Sequence, residues 1–356
     1  MSRQRVAIIC GGRSSEHEIS CISASGILGA IDTARYDPIL IGITKAGNWR
    51  LLSGAADFRS NSSGLPEVEA GPNQLTISND GIHTRSGEPL NIDIAFPVLH
   101  GAYGEDGTIQ GLFEIANIAY VGSGVLASSV AMDKTFAKPI YADFGLTVAP
   151  GFTVHERDWS ANEAMETAKV SALGFPLFIK PARSGSSRGT TKVKSANEIP
   201  AAMKAAHEHD PRALVEAAVV GREIECGVLE IGGVARASTV GEIRVHPPHE
   251  FYDFEAKYLD GSTSFDVPAN LPAKLVSEIQ EAAITAFTAL GCEGLARVDF
   301  FITSDNEVTI NELNTMPGFT PKSVYPMLWQ ASGIGYSELI TTLCESALAR
   351  RRGVVR

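Results

Sequence analysis

The sequence predicts an α/β protein that begins with an open, mostly parallel sheet, because strand-like and helix-like stretches alternate along its first third. A compact apolar run at residues 5–10 precedes a stretch at residues 18–31 whose apolar side chains recur at helical spacing. Two further strand-like runs follow, at residues 38–44 and 92–99. Strands separated by helical segments favour parallel pairing. Residues 53–89 are rich in Gly, Ser, Asn and Pro, which predicts a surface elaboration with short strands.

Composition limits the classes of protein that fit this chain of 356 residues. Its 44% hydrophobic and 20% charged content is ordinary for a soluble globular protein of two or three domains. The net charge of −11 argues against a general nucleic-acid binder but still allows a small anionic ligand. No apolar run is long enough to span a bilayer. The five scattered cysteines lack zinc-ligand spacing, which predicts buried, reduced thiols in a cytosolic protein.

Two further units are predicted after the first, which gives domains at residues 1–132, 133–222 and 223–356. The second unit contains a helix from Asp133 to Phe144 and a strand before Gly151. It continues with a helix at 161–173, a strand–loop–strand at 176–194, a helix at 196–207 and a strand at 213–220. The third contains β-rich segments, a long helix at 272–290, a hairpin of residues 294–303 and 307–313, and a helical tail.

The predicted hairpin carries the strongest local pattern. Because side chains alternate along a strand, Arg297 and Asp299 share one face, and Glu312 and Asn314 share a face of the returning strand. If the strands pair, Asp299, Glu312 and Asn314 form an oxygen cluster beside Arg297. Such hard ligands suit Mg²⁺ held together with substrate phosphates. A pair of exposed polar faces with a surface ion pair explains the same residues equally well.

A lysine ends an apolar strand beside a Gly/Ser loop in the second unit. Lys180 and the backbone N–H groups of residues 182–189 could contact a phosphate. A plain surface hairpin is the safer interpretation of this segment taken alone, since GxxxxGK[ST] is absent.

Two loops follow predicted strands of the first unit. Residues 11–18 (GGRSSEHE) do not meet GxGxxG, which argues against a dinucleotide-binding dehydrogenase. Ser14 or Ser15 could cap the next helix, and Glu16 is favourable at a helix start on electrostatic grounds alone. Residues 100–107 (HGAYGEDG) lie at the carboxyl end of a strand, where open α/β sheets bind ligands, although a lone histidine such as His100 is more often structural.

Taken together, these segments resemble the D-alanine–D-alanine ligases, members of the ATP-grasp superfamily. The matching motifs cover nearly the whole chain in order: GGRSSEHEIS, LHGAYGEDGTIQG, YVGSGVLASSVAMDK, FIKPARSGSSRG, FYDFEAKY, ARVDF and NELNTMPGFT. The resemblance implies an N-terminal α/β substrate-binding domain followed by a two-lobed ATP-grasp fold, α+β in each ATP-binding lobe.

The resemblance also implies the nucleotide and metal contacts. Lys134, Lys180 and Lys257 match lysines that contact the ATP phosphates. Glu216 and Glu223 match the acidic residues at the adenine edge and ribose hydroxyls, and Val219 lies on the hinge strand between them. Asp299, Glu312 and Asn314 match the ligands of two Mg²⁺ (or Mn²⁺) ions.

The amino-acid contacts are implied in the same way. Glu16 matches the carboxylate that binds the ammonium of the first D-alanine, and His100 lies near that substrate. Ser186 and Tyr258 match residues that form a hydrogen-bonded network with Glu16 and close a loop. Arg297 and the backbone of Gly318 match an oxyanion-stabilising pair, and Ser323 matches the residue that holds the carboxylate of the second D-alanine. Departures at Ala182, Ser184, Ala217 and Ala218 concern nucleotide affinity rather than these groups.

The implied activity is ATP-dependent ligation of two D-alanine molecules through an acyl phosphate, for peptidoglycan precursors. The alternatives are a ligase that accepts D-serine or D-lactate, another ATP-grasp carboxylate–amine ligase, and a nucleotide-binding protein without catalysis. Retention of Tyr258 weighs against D-lactate, and retention of Arg297 and Glu16 weighs against a mere binder. The resemblance further implies a cytoplasmic homodimer with no nucleic-acid or membrane partner.

Overall fold

The computed structural model describes residues 3–246 and 263–350, which form a mixed α/β protein with three main sheets. Its strands are β1 (Gln4–Gly11), β2 (Tyr36–Ile43), β3 (Trp49–Leu52), β4 (Arg59–Ser60), β5 (Pro66–Glu67), β6 (Leu75–Ser78), β7 (Gly81–Thr84), β8 (Ile94–Pro97), β9 (Ala119–Tyr120), β10 (Thr147–Val148), β11 (Gly151–His155), β12 (Leu177–Pro181), β13 (Thr191–Val193), β14 (Arg212–Ala217), β15 (Arg222–Ile231), β16 (Val234–Val245), β17 (Thr263–Asp266), β18 (Leu295–Ile302) and β19 (Val308–Asn314). Its helices are α1 (His17–Ala30), α2 (Thr108–Ile115), α3 (Val125–Met132), α4 (Lys134–Asp143), α5 (Glu156–Ala161), α6 (Glu163–Ser171), α7 (Ile199–His207), α8 (Ala273–Ala289), α9 (Val324–Ala331) and α10 (Tyr336–Ala349). Two short 3-10 turns occupy Ala55–Asp57 and Ala196–Glu198.

The first sheet confirms the predicted open, mostly parallel arrangement. Its strand order is β3-β2-β1-β8-β9, with only the β2–β3 pair antiparallel. Six successive residues of β1 are buried, as expected for a strand covered on both faces. Because β1 and β8 run parallel, the loops that follow them meet at one edge of the sheet. Gly11 and Gly12 begin the first of these loops with φ of +86° and +93°, which glycine adopts without strain.

The second and third sheets are largely antiparallel. One has the order β11-β14-β12-β13, and the other has the order β10-β19-β18-β15-β16-β17. The predicted hairpin is confirmed as β18 and β19, with Arg297 opposite Asn314 and Asp299 opposite Glu312. The register shifts just after Asp299, so that Asn311 is the extra residue of a bulge.

Several elements differ from the sequence prediction. The helix expected at residues 161–173 is α6, which begins at Glu163 because the Asn162 side chain accepts the N–H of Met165 and caps it, and the short helix α5 before it was not predicted. The strand expected before Gly151 is only the two-residue β10, and the main strand β11 begins at Gly151 itself. α2, β9 and α3 were not predicted at all.

The strand predicted at residues 213–220 ends at Ala217, because there the chain leaves one sheet for another. β14 belongs to the four-stranded sheet, and β15 belongs to the six-stranded one. Val219 therefore lies in the connection between the two sheets and not on a strand, which corrects the expected hinge strand.

The largest hydrophobic core joins the two ends of the chain. It contains residues of β1, α1 and β8 together with residues of α9 and α10, and the rings of Phe96 and Phe319 lie 5.6 Å apart. This packing holds the segment after β19 against the loop edge of the first sheet. All five cysteines are buried and free, as predicted. Within the described ranges, no helix combines the length and apolar composition that crossing a membrane would require.

Candidate active site

The hairpin side chains converge as the alternation predicts. The guanidinium of Arg297 donates two hydrogen bonds to the carboxylate of Asp299, each 2.7 Å long. Asn314 Nδ2 donates to Asp299 Oδ2 at 3.0 Å. On the neighbouring strand β15, buried Glu225 lies opposite Asp299, with its Oε1 3.1 Å from Arg297 Nε. The arginine is therefore fixed between two carboxylates in the middle of a sheet.

Lys134 connects this hairpin to the Gly/Ser loop. It is the first residue of α4, a helix capped by the Asp133 carboxylate, which accepts the N–H of Thr135. Lys134 Nζ lies 2.9 Å from Glu312 Oε2 and donates to the carbonyl of Ser184 at 3.2 Å. Burial lowers the pKa of Lys134, but the carboxylate of Glu312 outweighs burial and raises the pKa above its ordinary value, so the ammonium stays charged.

A second group of charges lies on the four-stranded sheet. Buried Glu216 forms ion pairs with Lys180 and with Lys138, whose Nζ is 2.6 Å from Glu216 Oε1. Burial opposes ionisation of Glu216, but the two lysines outweigh it and lower its pKa to about 2. Lys138 was missed by the sequence analysis. It follows Lys134 by one helical turn on α4, a spacing that places both lysines on one face.

The loop after β1 meets the Gly/Ser loop at Glu16. Ser186 Oγ donates a 2.6 Å hydrogen bond to Glu16 Oε1, and both residues are buried. Glu16 Oε2 lies between two glycines: a Cβ built on Gly101 would lie 2.7 Å from it, and one built on Gly185 would lie 3.0 Å from it. Neither Ser14 nor Ser15 caps α1; instead Ser14 Oγ accepts the N–H of Glu16 at 3.2 Å.

Two adjoining cavities contain most of the candidate residues. The first, here called the nucleotide cleft because the resemblance assigns most of its polar residues to ATP, includes Lys138, Lys180, Glu216, Val219, Glu223 and Asp299 in its lining. The second, here called the amino-acid cavity because the resemblance assigns Glu16, His100 and Ser323 to the D-alanine substrates, also includes Glu105, Asn314 and Gly318. Six residues line both: Lys134, Ser184, Ser186, Glu225, Arg297 and Glu312. The two cavities therefore adjoin along these six residues.

Sequence models of one family match both parts of this chain. The D-ala D-ala ligase N-terminus matches residues 5–123, and the D-ala D-ala ligase C-terminus matches residues 140–345. The D-alanine--D-alanine ligase of Arthrobacter sp. (strain FB24) is 49% identical over an alignment of 367 positions, which covers 99% of this chain and 96% of that protein. The corresponding protein of Nocardia farcinica is 48% identical and covers 99% of each chain.

The chain belongs to the D-alanine–D-alanine ligase family.

Solved structures agree with this assignment and confirm the predicted ATP-grasp fold. The VanG D-Ala:D-Ser ligase from Enterococcus faecalis superposes with a TM-score of 0.83 at 36% identity, covering 97% of this chain and all of that one. The D-alanine-D-alanine ligase from Coxiella burnetii gives 0.81 at 35% identity, covering 98% and 96%.

The side chains that this ligase family implies as metal ligands fit Mg²⁺ in their chemistry. Asp299 and Glu312 supply hard oxygen donors from facing positions of one hairpin, and Asn314 supplies another from two residues after Glu312. Among the residues described, no group of three or more His, Cys, Asp or Glu side chains could hold an ion alone. Mg²⁺ typically binds one or two carboxylates and completes its shell with phosphate oxygens and water, so this donor set matches an ion that arrives with a nucleotide.

Of the remaining candidates for the ligase site, some lie in the part of the chain that the structure describes and others do not. Ser323 lies at the start of α9, where its hydroxyl accepts the N–H of Thr320 at 3.0 Å instead of capping the helix, and Gly318 lies beside it. His100 is buried, and burial lowers its pKa, so the ring is neutral. Lys257 and Tyr258 fall outside the described residues.

Like Lys138, the cavity-lining residues Glu105 and Glu225 were not predicted from the sequence. The position of Glu225 could have been predicted, because it lies two residues after Glu223 on β15 and residues two apart on a strand share a face. Glu105 lies in the loop that was singled out only for His100.

Proposed function

We propose that this chain joins two D-alanine molecules into D-alanyl-D-alanine, with ATP converted to ADP and phosphate. One observation carries the proposal: the nucleotide cleft and the amino-acid cavity meet along six shared residues that include Lys134, Arg297 and Glu312. Phosphoryl transfer from ATP to a carboxylate needs this adjacency, because the catalyst mainly positions the reactants and stabilises charge. Family membership supports the same activity.

In the first step, the γ-phosphate of ATP would move to the carboxylate of the first D-alanine. Lys134 and Lys180 would hold the phosphates, while Val219 and Glu223 would contact the base and ribose. Glu216 would keep Lys180 in place as well as border the adenine. Asp299, Glu312 and Asn314 would hold two Mg²⁺ (or Mn²⁺) ions, which offset the charge of the phosphates when bound.

Glu16 would bind the ammonium of the first D-alanine, and Ser186 would orient the Glu16 carboxylate through their hydrogen bond. His100 borders the same space and is held neutral by its surroundings, so it adds no charge there. The second D-alanine, its carboxylate held by Ser323, would attack the activated carbonyl. Arg297 and the Gly318 N–H would stabilise the oxyanion before phosphate leaves. Lys257 and Tyr258 complete this proposal from the resemblance alone.

The test is a product assay on the purified full chain. With Mg²⁺, ATP and D-alanine, the expected result is phosphate release together with D-alanyl-D-alanine identified by mass. L-alanine serves as the matched control, because it differs only in configuration and should give no signal. Absence of dipeptide under these conditions contradicts the proposal, and nucleotide binding without any activation of an amino acid would support the catalysis-free alternative.

One observation makes D-serine an alternative second substrate. A structural neighbour with a TM-score of 0.83 is described as a D-Ala:D-Ser ligase. Competition between D-alanine, D-serine and D-lactate for the second position distinguishes the alternatives. We expect D-alanine to prevail; a larger yield of D-alanyl-D-serine would reassign the acceptor.

The biological setting follows from the family and is also a proposal. The dipeptide would enter peptidoglycan precursor synthesis in the cytoplasm, with the chain acting as a homodimer on small molecules and without nucleic-acid or membrane partners. Residues 1–132 would form the amino-acid-binding domain, and residues 133–222 and 223–356 the two lobes around ATP. Size-exclusion chromatography with light scattering tests the dimer.

A further inference from the structure

Glu105 contacts two distant backbone groups within the amino-acid cavity. Its Oε2 accepts the N–H of Gly101 at 2.7 Å, and its Oε1 accepts the N–H of Met316 at 3.0 Å. Gly101 follows β8 in the first sheet, whereas Met316 follows β19 in the third. The Glu105 carboxylate thus joins its own loop to Met316, which lies 211 positions further along the chain.

The carbonyl of Met316 is held from the same side of the molecule. Its oxygen can only accept, so His100 Nδ1 carries a proton and donates to it at 2.9 Å. The other ring nitrogen, Nε2, then accepts from Ser23 Oγ at 3.3 Å. Both backbone polar groups of Met316 are therefore bound by side chains from the first domain, while its own side chain is buried in the core that joins the chain ends.

We propose that Glu105 is a positioning residue that fixes Met316, and through it the nearby Gly318 amide, relative to the Glu16 side of the amino-acid cavity. Gly318 is two residues further along a segment that leaves β19 and enters no element before α9. Its N–H stabilises an oxyanion only if it stays where the charge develops, because a misplacement of about 1 Å can lower the rate on the order of 10²-fold. The pair of hydrogen bonds from Gly101 and Met316 to Glu105 is here called the tether. The catalytic part of this inference rests on the proposed function, but the existence of the tether does not.

Replacement of Glu105 by glutamine isolates the tether. Burial, together with the nearby Glu16 carboxylate, raises the pKa of Glu105 to about 8, so a neutral side chain of equal size is tolerated here. Glutamine retains one acceptor oxygen but places an NH₂ group against one of the two backbone N–H groups. One hydrogen bond of the tether is lost while volume and charge remain close to those of the protonated acid.

Hydrogen exchange and kinetics together test the proposal. In Glu105→Gln, we expect amide exchange at Gly101 or at Met316 to accelerate about tenfold or more, since one of these two N–H groups loses its partner. We expect kcat to fall about tenfold or more while KM for ATP changes less than twofold, because the nucleotide cleft is unaltered. A merely structural defect would lower thermal stability without this division between kcat and KM.

Glu198→Gln is the matched control. Its Oε2 accepts the N–H of Lys194 at 2.9 Å, four residues earlier, as Glu105 does with Gly101, but it lies outside both cavities. It should leave amide exchange at Gly101 and Met316, and kcat, unchanged. If Glu105→Gln does not fold, Glu105→Asp replaces it, because aspartate keeps both oxygens but is too short to reach both loops.

Unchanged exchange at both Gly101 and Met316 overturns the tether, and faster exchange with kcat within twofold overturns its role in positioning. If the wild-type chain makes no dipeptide, the proposed function fails, while the exchange experiment still decides whether the tether exists.

Discussion

The two sides of the site are built differently. The sheet side consists of charged groups on paired strands: Arg297 lies between two carboxylates, and Glu216 lies between two lysines. The loop side has few charges and is held by single long-range contacts, such as Ser186 to Glu16. We infer that the sheet side supplies the electrostatics of the reaction and the loop side supplies its geometry. Mutations on the two sides should therefore impair the protein in different ways.

The largest effect is expected on the sheet side, from Arg297→Lys. Lysine keeps the positive charge but cannot form the two parallel bonds to Asp299 or present the same planar donor to an oxyanion. Loss of one preorganised oxyanion donor lowers kcat by about 10²–10³. Steady-state ADP release measures the effect.

Arg222→Lys is the matched control, since Arg222 forms a similar two-bond pair with Glu242 on the next strand of the same sheet. Its kcat should be nearly that of wild type. An equal loss of activity in both variants would mean that the sheet's stability, and not the oxyanion, accounts for the effect.

Glu216 gives the sheet side a pH dependence of stability. Its pKa is about 2 in the folded chain against 4.5 for an ordinary glutamate, so its contribution is complete above pH 4.5 and is lost as pH falls toward 2. This lowering of the pKa corresponds to a stabilisation of the folded chain by about 3 kcal/mol, at about 1.4 kcal/mol per pKa unit. Glu216→Gln should be less stable than wild type at pH 7, with a difference that narrows between pH 5 and pH 3 in denaturant titrations. A difference that stays constant with pH would contradict the role of this carboxylate.

The hairpin of the sheet side was predictable from the sequence and the loop side was not, for a physical reason. Side chains alternate along any strand, so Arg297, Asp299 and Glu312 could be assigned to one cluster once the hairpin was recognised. The contacts of the loop side join residues 170 and 211 positions apart, and no local period encodes them. Ser186 was found only through a family resemblance, and Glu105 was not found.

On the loop side, Ser186→Ala should act on substrate binding. It removes a buried 2.6 Å hydrogen bond to the Glu16 carboxylate, and bonds to charged groups contribute about 1.5–3 kcal/mol. We expect KM for the first D-alanine to rise at least tenfold, with KM for ATP little changed. Ser184→Ala is the control, because that hydroxyl lies in the same loop but bonds to the carbonyl of Arg188. A comparable rise in the control would attribute the effect to the loop as a whole.

The smallest change is a single methyl group beside the same carboxylate. In Gly185→Ala, the new Cβ would lie 3.0 Å from Glu16 Oε2, closer than carbon and oxygen normally approach, so the carboxylate must shift by a few tenths of an ångström. Overpacking at its lower limit costs about 1 kcal/mol, which corresponds to roughly a fivefold rise in KM for the first D-alanine. Gly29→Ala adds the same group in α1, where nothing lies within 4 Å, and should instead stabilise the helix by about 0.5–1 kcal/mol. If the two substitutions leave KM equally unchanged, Glu16 tolerates displacement, and the geometry of the loop side does not limit binding as inferred.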